Sequence, residues 1–566
     1  MALSRRAFGG VAIGGSAAAL AAACGDGGGS GDSGGSNELT WAVASSWEGW
    51  NLNTTSGNSS YGKQALTPMI VLGGEGVDFN PDGEAFNDDA VFDAPTELVS
   101  EEPMQLRLRL KEGAVWSDGE PVRLEDFLFQ WYSLSGDPQH ANQEKATPAS
   151  TAGYESISSI EQDEDGSILI TFVDGYLDPE WQFFGGIYLP SHVADAEGFD
   201  WQNDPEAMGD AIQFFNTELN PVGVGPYVPV DWELGEFVTY EPNERYQGSV
   251  KPGLEKLTIK YVEDLSSIVT ELRQGTIDGS WPSNPLFEEL APLDEDPDLT
   301  YEGFAGSVWS HIDINLNNKF LSDAALRQAV FTVIDIADIT AKIFPGAEVP
   351  RKGNYYFSEG SPYYVDYLGE TTQGSGDLEA ARQILTDAGY TWDGEEKLLT
   401  PDGERVAFNF RYVGSDSIRT TTAELVQSYA AQIGIDVELR TMQDDELSST
   451  LEGRDFDMVI FSWSGNPAFT GSVRQYLHSE SESNYIGLDD PDLDANVDAV
   501  TQTVDLDEAA EYANRVCEAG IAHAVLLPLY DSPQAVCWNS SRVDGIVNNG
   551  NSQAGPLWNV REWKAA

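Results

Sequence analysis

At Gly434 the sequence changes from a helical to a strand period within one residue. Upstream, Arg419 to Ile433 reads as a helix. Downstream, Ile435, Val437 and Leu439 alternate as on a strand, and a further strand follows at Phe456 to Trp463. A helix stopped by glycine and followed at once by a strand has to lay its apolar face over a sheet. Two earlier helices fit the same frame. After Ser322, the residues Leu326, Ala329, Val330, Val333 and Ile334 share one helical face. From Asp377, the residues Leu378, Ala381, Ile384, Leu385 and Ala388 do so, with Gly389 placed to end the helix. Residues 305–525 are therefore expected to form one α/β lobe.

The chain has 566 residues, and a single core rarely grows past about 250 to 300 residues. Two or three α/β lobes are expected. Ahead of residue 305 lies a more irregular region, with a hairpin pattern over Glu161 to Phe172 and strand pairs around Thr239 and Thr258. After residue 523, Ala524 to Leu529 is an apolar run suited to a short buried strand. No internal repeat is visible.

Charge removes one class of function. With 94 acidic against 30 basic residues, the formal net charge is -64, which repels nucleic acid phosphates and an anionic membrane surface. The acids are spread along the chain and read as a solvated surface. Such self-repulsion is best tolerated where salt screens it, which suits a salty habitat.

The N-terminus reads as an address. Ser4-Arg5-Arg6-Ala7-Phe8, followed by a Gly/Ala-rich stretch from Gly9 to Ala23, resembles a twin-arginine export signal. That stretch is shorter and less apolar than a spanning helix requires. Leu20-Ala21-Ala22-Ala23-Cys24 resembles a lipobox, with Leu20 one position early, and makes Cys24 the expected lipidation site. Residues 1–23 are thus read as a Tat-type lipoprotein signal peptide and 24–37 as a flexible Gly/Ser/Asp tether. The expected location is the outer face of the cell membrane, held by lipid alone.

Catalytic and metal patterns do not assemble in the sequence. Gly31-Asp32-Ser33-Gly34-Gly35 spells G-x-S-x-G, but it lies in the tether and all five His residues are downstream of it. His140, His192, His311, His478 and His523 show no zinc spacing. The acidic string Asp489-Asp490-Pro491-Asp492 lacks the pattern of an EF-hand loop. No phosphate-cradling Gly-Lys-Ser/Thr loop occurs, so no ATP-hydrolysing site is expected in this chain. No enzyme, metal or cofactor is expected. Cys517 and Cys537 are a candidate disulfide, because outside the cell a cysteine pair favours a bond.

One long run carries a family resemblance. Leu110-Lys111-Glu112-Gly113-Ala114-Val115-Trp116-Ser117-Asp118-Gly119-Glu120-Pro121, continuing to Asp126-Phe127, resembles the signature of the extracellular solute-binding proteins of the peptide/nickel family, family 5. Pro221 to Tyr227, Asn243 to Tyr246, Leu272 to Gly275 with Asp278, and Phe320 to Asp335 are similar to further segments of that family. So are Leu385 with Ala388-Gly389-Tyr390, and Asp455-Phe456-Asp457 with Trp463. The likeness runs from Leu39 to about Leu529.

The resemblance implies a two-lobed, periplasmic-binding-protein-like clamshell of type II, similar to the large cluster C proteins. Lobe 1 would comprise residues 38–304 plus 526–566, with an extra subdomain near 70–220, and lobe 2 residues 305–525. Crossings between them are expected near Tyr301 to Ser310 and Ala524 to Tyr530. Such a protein closes over a solute by hinge motion. It would act as a monomer that captures a peptide or peptide-like solute and passes it to ABC transporter permease subunits. The alternative is the same fold taking an oligosaccharide or another neutral solute, or acting as a sensor.

The resemblance also supplies binding candidates. After the strand Trp463, the segment Ser464-Gly465-Asn466-Pro467 sits where the family commonly carries an acid for a peptide's amino group. Here that position is Asn466, which offers a carbonyl oxygen but no charge and suits a neutral solute better. Ser45, Ser46 and Trp47 end the first strand, from which the family reaches toward the solute. Trp281 and Trp309 are further candidates, because an indole face covers an apolar side chain or a sugar ring.

Overall fold

Helices begin where an aspartate can cap them. The side chains of Asp323, Asp377, Asp416 and Asp505 accept hydrogen bonds from first-turn amides of the helices Ala324–Val333, Leu378–Asp387, Ser417–Gln432 and Leu506–His523. Part of the acidic excess thus meets the unpaired N–H groups and positive end of a helix. Gly389 and Gly434 follow two of these helices with φ of 87° and 88°, a conformation that costs glycine little and other residues much.

The structure is a computed structural model that describes residues 37–70, 78–81, 83–86, 89–184, 186–187, 189–282, 287–443, 446–465 and 467–566. The export signal, the tether through Ser36 with Cys24, and Asn466 lie outside the described residues.

The main element is a ten-stranded mixed sheet. At one end lie Asp436–Met442, Ala407–Val413 and Met458–Ser464, and at the other Gly279–Trp281, Glu38–Val43, Lys256–Tyr261, Phe237–Pro242 and Tyr227–Glu233. Two long strands in the middle, Leu299–Ile314 and Leu526–Asn539, pair antiparallel and join the halves. Their pairing breaks between Ala305 opposite Pro533 and Trp309 opposite Asp531. The expected short strand at Ala524 to Leu529 begins only at Leu526, as the start of the second crossover strand, because Ala524 caps the preceding helix with φ 52°. Its continuation was hidden because Asp531 and Pro533 interrupt the apolar pattern where the pairing breaks.

Separate cores lie on the two sides of that break. One gathers Trp309, the helices named above, Tyr355, Tyr476 and residues up to Tyr530. On the other side, Trp41, Trp201, Phe215, Tyr240 and Trp563 form a second core. A four-stranded antiparallel sheet, in the order Glu97–Glu101, Met104–Leu108, Ile168–Phe172, Ile157–Gln162, carries a third, with Trp116 and Phe127. The strand pair around Thr239 and Thr258 places these residues opposite each other with hydroxyls 3.1 Å apart.

The family-like run is a structural knot. Asp126, in the first turn of the helix Leu124–Leu134, is fully buried. Its carboxylate accepts from Arg123 N, Trp116 Nε1, Ser191 N and Ser191 Oγ at 2.7 to 3.1 Å. Burial raises its pKa above the ordinary carboxylate value.

The expected disulfide is absent. Cys517 and Cys537 are both free and buried. Cys517, on the helix Leu506–His523, packs into the core around Trp309, whereas Cys537, on the second crossover strand, packs with Ala42, Ile268 and Leu272. Each fills a different core, so no bond between them can form in this fold.

Candidate functional site

Where the crossover pairing breaks, the two sides of the molecule enclose a cavity of about 440 Å³. Phe304 to Ser307 and Trp309 of the first crossover strand form its floor. The far side is lined by Lys352 and Tyr355 to Ser358, and by Gly465, Pro467 and Phe469. The near side is lined by Phe79, Glu84, Gln182, Phe183, Asn548 and Asn551. Gly465 N donates to Ser307 O at 2.7 Å, a closeness that leaves no room for a side chain at Gly465.

Aromatic packing gives the cavity its shape. Trp309 is 1% exposed and stacks on Tyr355 at 6.2 Å, with Tyr476 meeting it edge-on at 5.8 Å. Above the Trp309 ring, at 5.5 Å, sits the Lys352 ammonium. Lys352 Nζ donates to Asp531 Oδ1 at 2.8 Å, so a buried cation is held by a carboxylate of the second crossover strand.

The sequence candidates divide. Trp309 and Gly465 line the cavity, whereas Trp463 is not among the lining residues. Trp463 is Trp309's partner on the neighbouring strand and lies between Tyr476 at 4.9 Å and Tyr485 at 6.0 Å. It buttresses the wall from behind. Ser464 is exposed. Ser46 Oγ donates to Gly235 O, and Trp47 is buried edge-on to Trp50, so the first-strand candidates with Ser45 are not in the lining. Trp281 stacks at 6.4 Å on Phe304, which does line the cavity. Asn466 belongs to the undescribed residues.

Sequence reasoning missed Lys352 and the aromatics beside it. A lysine followed within a few positions by Tyr355-Tyr356-Phe357 is unusual in so acidic a chain, and that was the available signal. It also missed the loop before Gln182 and Phe183. There Glu180 reaches across to the helix Thr470–Leu477, accepting from Phe469 N at 2.7 Å, Thr470 N at 3.4 Å and Thr470 Oγ1 at 2.6 Å. Trp181 Nε1 donates to Val504 O on the same side at 3.0 Å. Burial, reinforced by the carboxylate of Asp178, pushes the Glu180 pKa up to about 7 against the pull of the Thr470 and Phe469 donors.

Among the described residues no cluster of three or more His, Cys, Asp or Glu side chains could hold a metal ion, and no helix is long and apolar enough to cross a membrane.

An α/β body joined by two crossover strands, with a cavity beside their break, defines a two-lobed type II solute-binding protein. The comparisons with known proteins agree. Residues 77–485 match the family model of bacterial extracellular solute-binding proteins, family 5 middle. The oligopeptide-binding protein OppA of Mycobacterium tuberculosis is 26% identical over 490 residues, covering 85% of this chain and 76% of the relative. Protein XP55 of Streptomyces lividans is 27% identical over 382 residues, covering 66% and 64%. Among solved structures, the periplasmic EDTA-binding protein EppA superposes with a TM-score of 0.79 at 25% identity, covering 94% of this chain and 97% of that one. Bacillus subtilis AppA, solved with a nonapeptide, superposes with a TM-score of 0.64 at 18% identity, covering 94% and 99%. The chain belongs to the bacterial extracellular solute-binding proteins, family 5.

Proposed function

We propose that this protein is the substrate-binding component of an ABC importer, closing over a short peptide or peptide-like solute and handing it to the membrane permease. The observation that carries this reading is the enclosed cavity of about 440 Å³ beside the crossover break, with walls from both sides of the cleft. Ligand cavities of a few hundred Å³ bury small molecules and short oligomers rather than long chains. Binding, not bond chemistry, is the output, and the family supports a non-enzymatic role.

The lining favours a solute of little net charge. Among the described lining residues only Glu84 and Lys352 are charged, and Lys352 is already paired with Asp531. A neutral or blocked peptide suits it. So does the second reading, a neutral oligosaccharide, since the indole and phenol faces around Trp309 would stack on sugar rings.

The N-terminal sequence supports export and anchoring, and the family likeness supports the lobe bounds. The chain is exported by the twin-arginine route, acylated at Cys24, tethered by residues 24–37 and active as a monomer. The lobes divide as 38–304 plus 526–566 and 305–525. The test is mass spectrometry of the solute that copurifies with the chain, followed by calorimetry with that solute and solution scattering with and without it. One-to-one uptake with compaction is expected. Catalytic consumption of the solute, or binding without compaction, overturns the reading.

A further inference from the structure

Resting on the solute-capture reading, one cavity feature identifies what part of the solute is held and where. Residues 352–357 form a buried loop pinned from several directions. Lys352 N donates to Leu529 O, and Tyr355 OH donates to Leu526 O, both on the second crossover strand. Asn354 Nδ2 donates to Val365 O and Asn514 Oδ1, while Asn354 Oδ1 accepts from the amides of Tyr356 and Phe357. A loop tied in this way presents its side chains preorganised, so little ordering entropy is lost on binding.

The polar groups on this loop are under-used. Lys352 is 5% exposed, and an ammonium has three donors. Asp531 takes one of them, and the Trp309 ring faces the same group. Tyr356, 8% exposed and lining the same cavity, has an enclosed hydroxyl with no hydrogen-bond partner among the described residues. Burial raises the Tyr356 pKa well above that of an ordinary phenol, so the group stays an O–H donor. Buried donors without acceptors cost stability, which is tolerable where a ligand supplies the acceptor.

We propose that Lys352 and Tyr356 form the subsite that receives an acyl oxygen of the solute, either a terminal carboxylate or an amide carbonyl. Asp531 compensates the ammonium, which lets the subsite take a neutral carbonyl as well as a carboxylate. On the opposite wall, Asn548 Oδ1 is enclosed without a partner among the described residues and suits an N–H of the same solute, giving the ligand a direction across the cleft.

The test uses the full chain and two N-acetylated tripeptide libraries, one ending in a free carboxylate and one in a carboxamide, read by native mass spectrometry. Lys352→Met alone would strand Asp531, so the variant is Lys352→Met with Asp531→Asn. Tyr356→Phe, which keeps the ring, carries the test independently should the double variant fail to fold. The double variant is expected to retain at least tenfold less of the members that wild type holds, with Tyr356→Phe intermediate. A loss confined to the free acids assigns the subsite to a carboxylate, and a loss in both libraries assigns it to a carbonyl. Equal retention by wild type and either folded variant overturns the subsite while leaving solute capture standing. Retention of nothing by wild type overturns the subsite together with the peptide reading.

Discussion

Glu180 and Thr470 face each other across the cleft, the Glu180 carboxylate accepting from the Thr470 hydroxyl at 2.6 Å while also binding the amides at the start of that helix. The loop carrying Glu180 continues into Gln182 and Phe183, and the helix follows Pro467 and Phe469, all four of them lining the cavity. Closing on a solute is therefore expected to make this contact.

The contact makes closure pH-dependent, and the sign follows from burial. In the closed form the Glu180 pKa is pushed up to about 7, whereas an exposed glutamate titrates near 4.3. The closed form holds the proton more tightly, so the contribution favouring closure is complete below the exposed value and is lost as pH rises through about 7. Asp178, which receives the Tyr176 hydroxyl on the same loop, works in the same direction, and the Thr470 and Phe469 donors oppose it. Affinity for the copurifying solute is expected to fall by up to about tenfold between pH 6 and pH 8. Glu180→Gln should flatten that slope. Calorimetry at the two pH values checks it, and a wild-type affinity that rises with pH contradicts the mechanism.

The two cysteines should behave as buried thiols. Burial pushes the pKa of Cys517 and of Cys537 up to about 12, so little reactive thiolate is present near neutrality. A thiol reagent is expected to modify neither in the folded protein and both in denaturant, and reductant should leave the melting temperature unchanged. A mass two protons lighter in the oxidised native protein would contradict the separate placement of these residues.

How much of this could be seen in the sequence depended on how local the cause was. Helices at Ser322, Asp377 and Arg419 were legible because an Asp cap and an apolar stripe, and in the last two a following glycine, all act within a few turns. The crossover strands were legible only in part, since Pro533 and Asp531 break the alternation that marks a strand. The site was least legible. Trp309 and Gly465 came from a family likeness, but Lys352 lines the cavity because Asp531, 179 positions away, holds it there, and no local period encodes such a pairing. Trp47 and Trp463 carried the same aromatic signal as Trp309, and only packing separates wall from buttress.

Asp126 should prove a stability residue. Removing its carboxylate leaves the Trp116 indole N–H, the Arg123 amide and the Ser191 amide and hydroxyl without their acceptor, all at a buried site. Asp126→Ala is expected to cost about 2 to 4 kcal/mol in denaturant unfolding, with solute affinity at 20 °C unchanged in the folded fraction. A large loss of affinity at full stability would place this knot at the ligand instead.

The two facing tryptophans should separate wall from buttress. Trp309 presents its ring to the cavity and carries the Lys352 ammonium above it, so Trp309→Ala removes both a binding surface and the group that positions a cation. Its expected effect is more than tenfold in affinity, or about 1.4 kcal/mol. Trp463, partly buried, touches Tyr476 and Tyr485 rather than the cavity, and Trp463→Ala takes away packing, with a cost of about 1 to 3 kcal/mol in stability. Affinity should then fall less than threefold, through Tyr476, whose ring meets Trp309 edge-on. Titration of both variants with the copurifying solute, alongside denaturant unfolding, decides the matter. If Trp463→Ala loses more affinity than Trp309→Ala, the solute sits on the far side of the Tyr476 ring, and the cavity beside the crossover break is not where it binds.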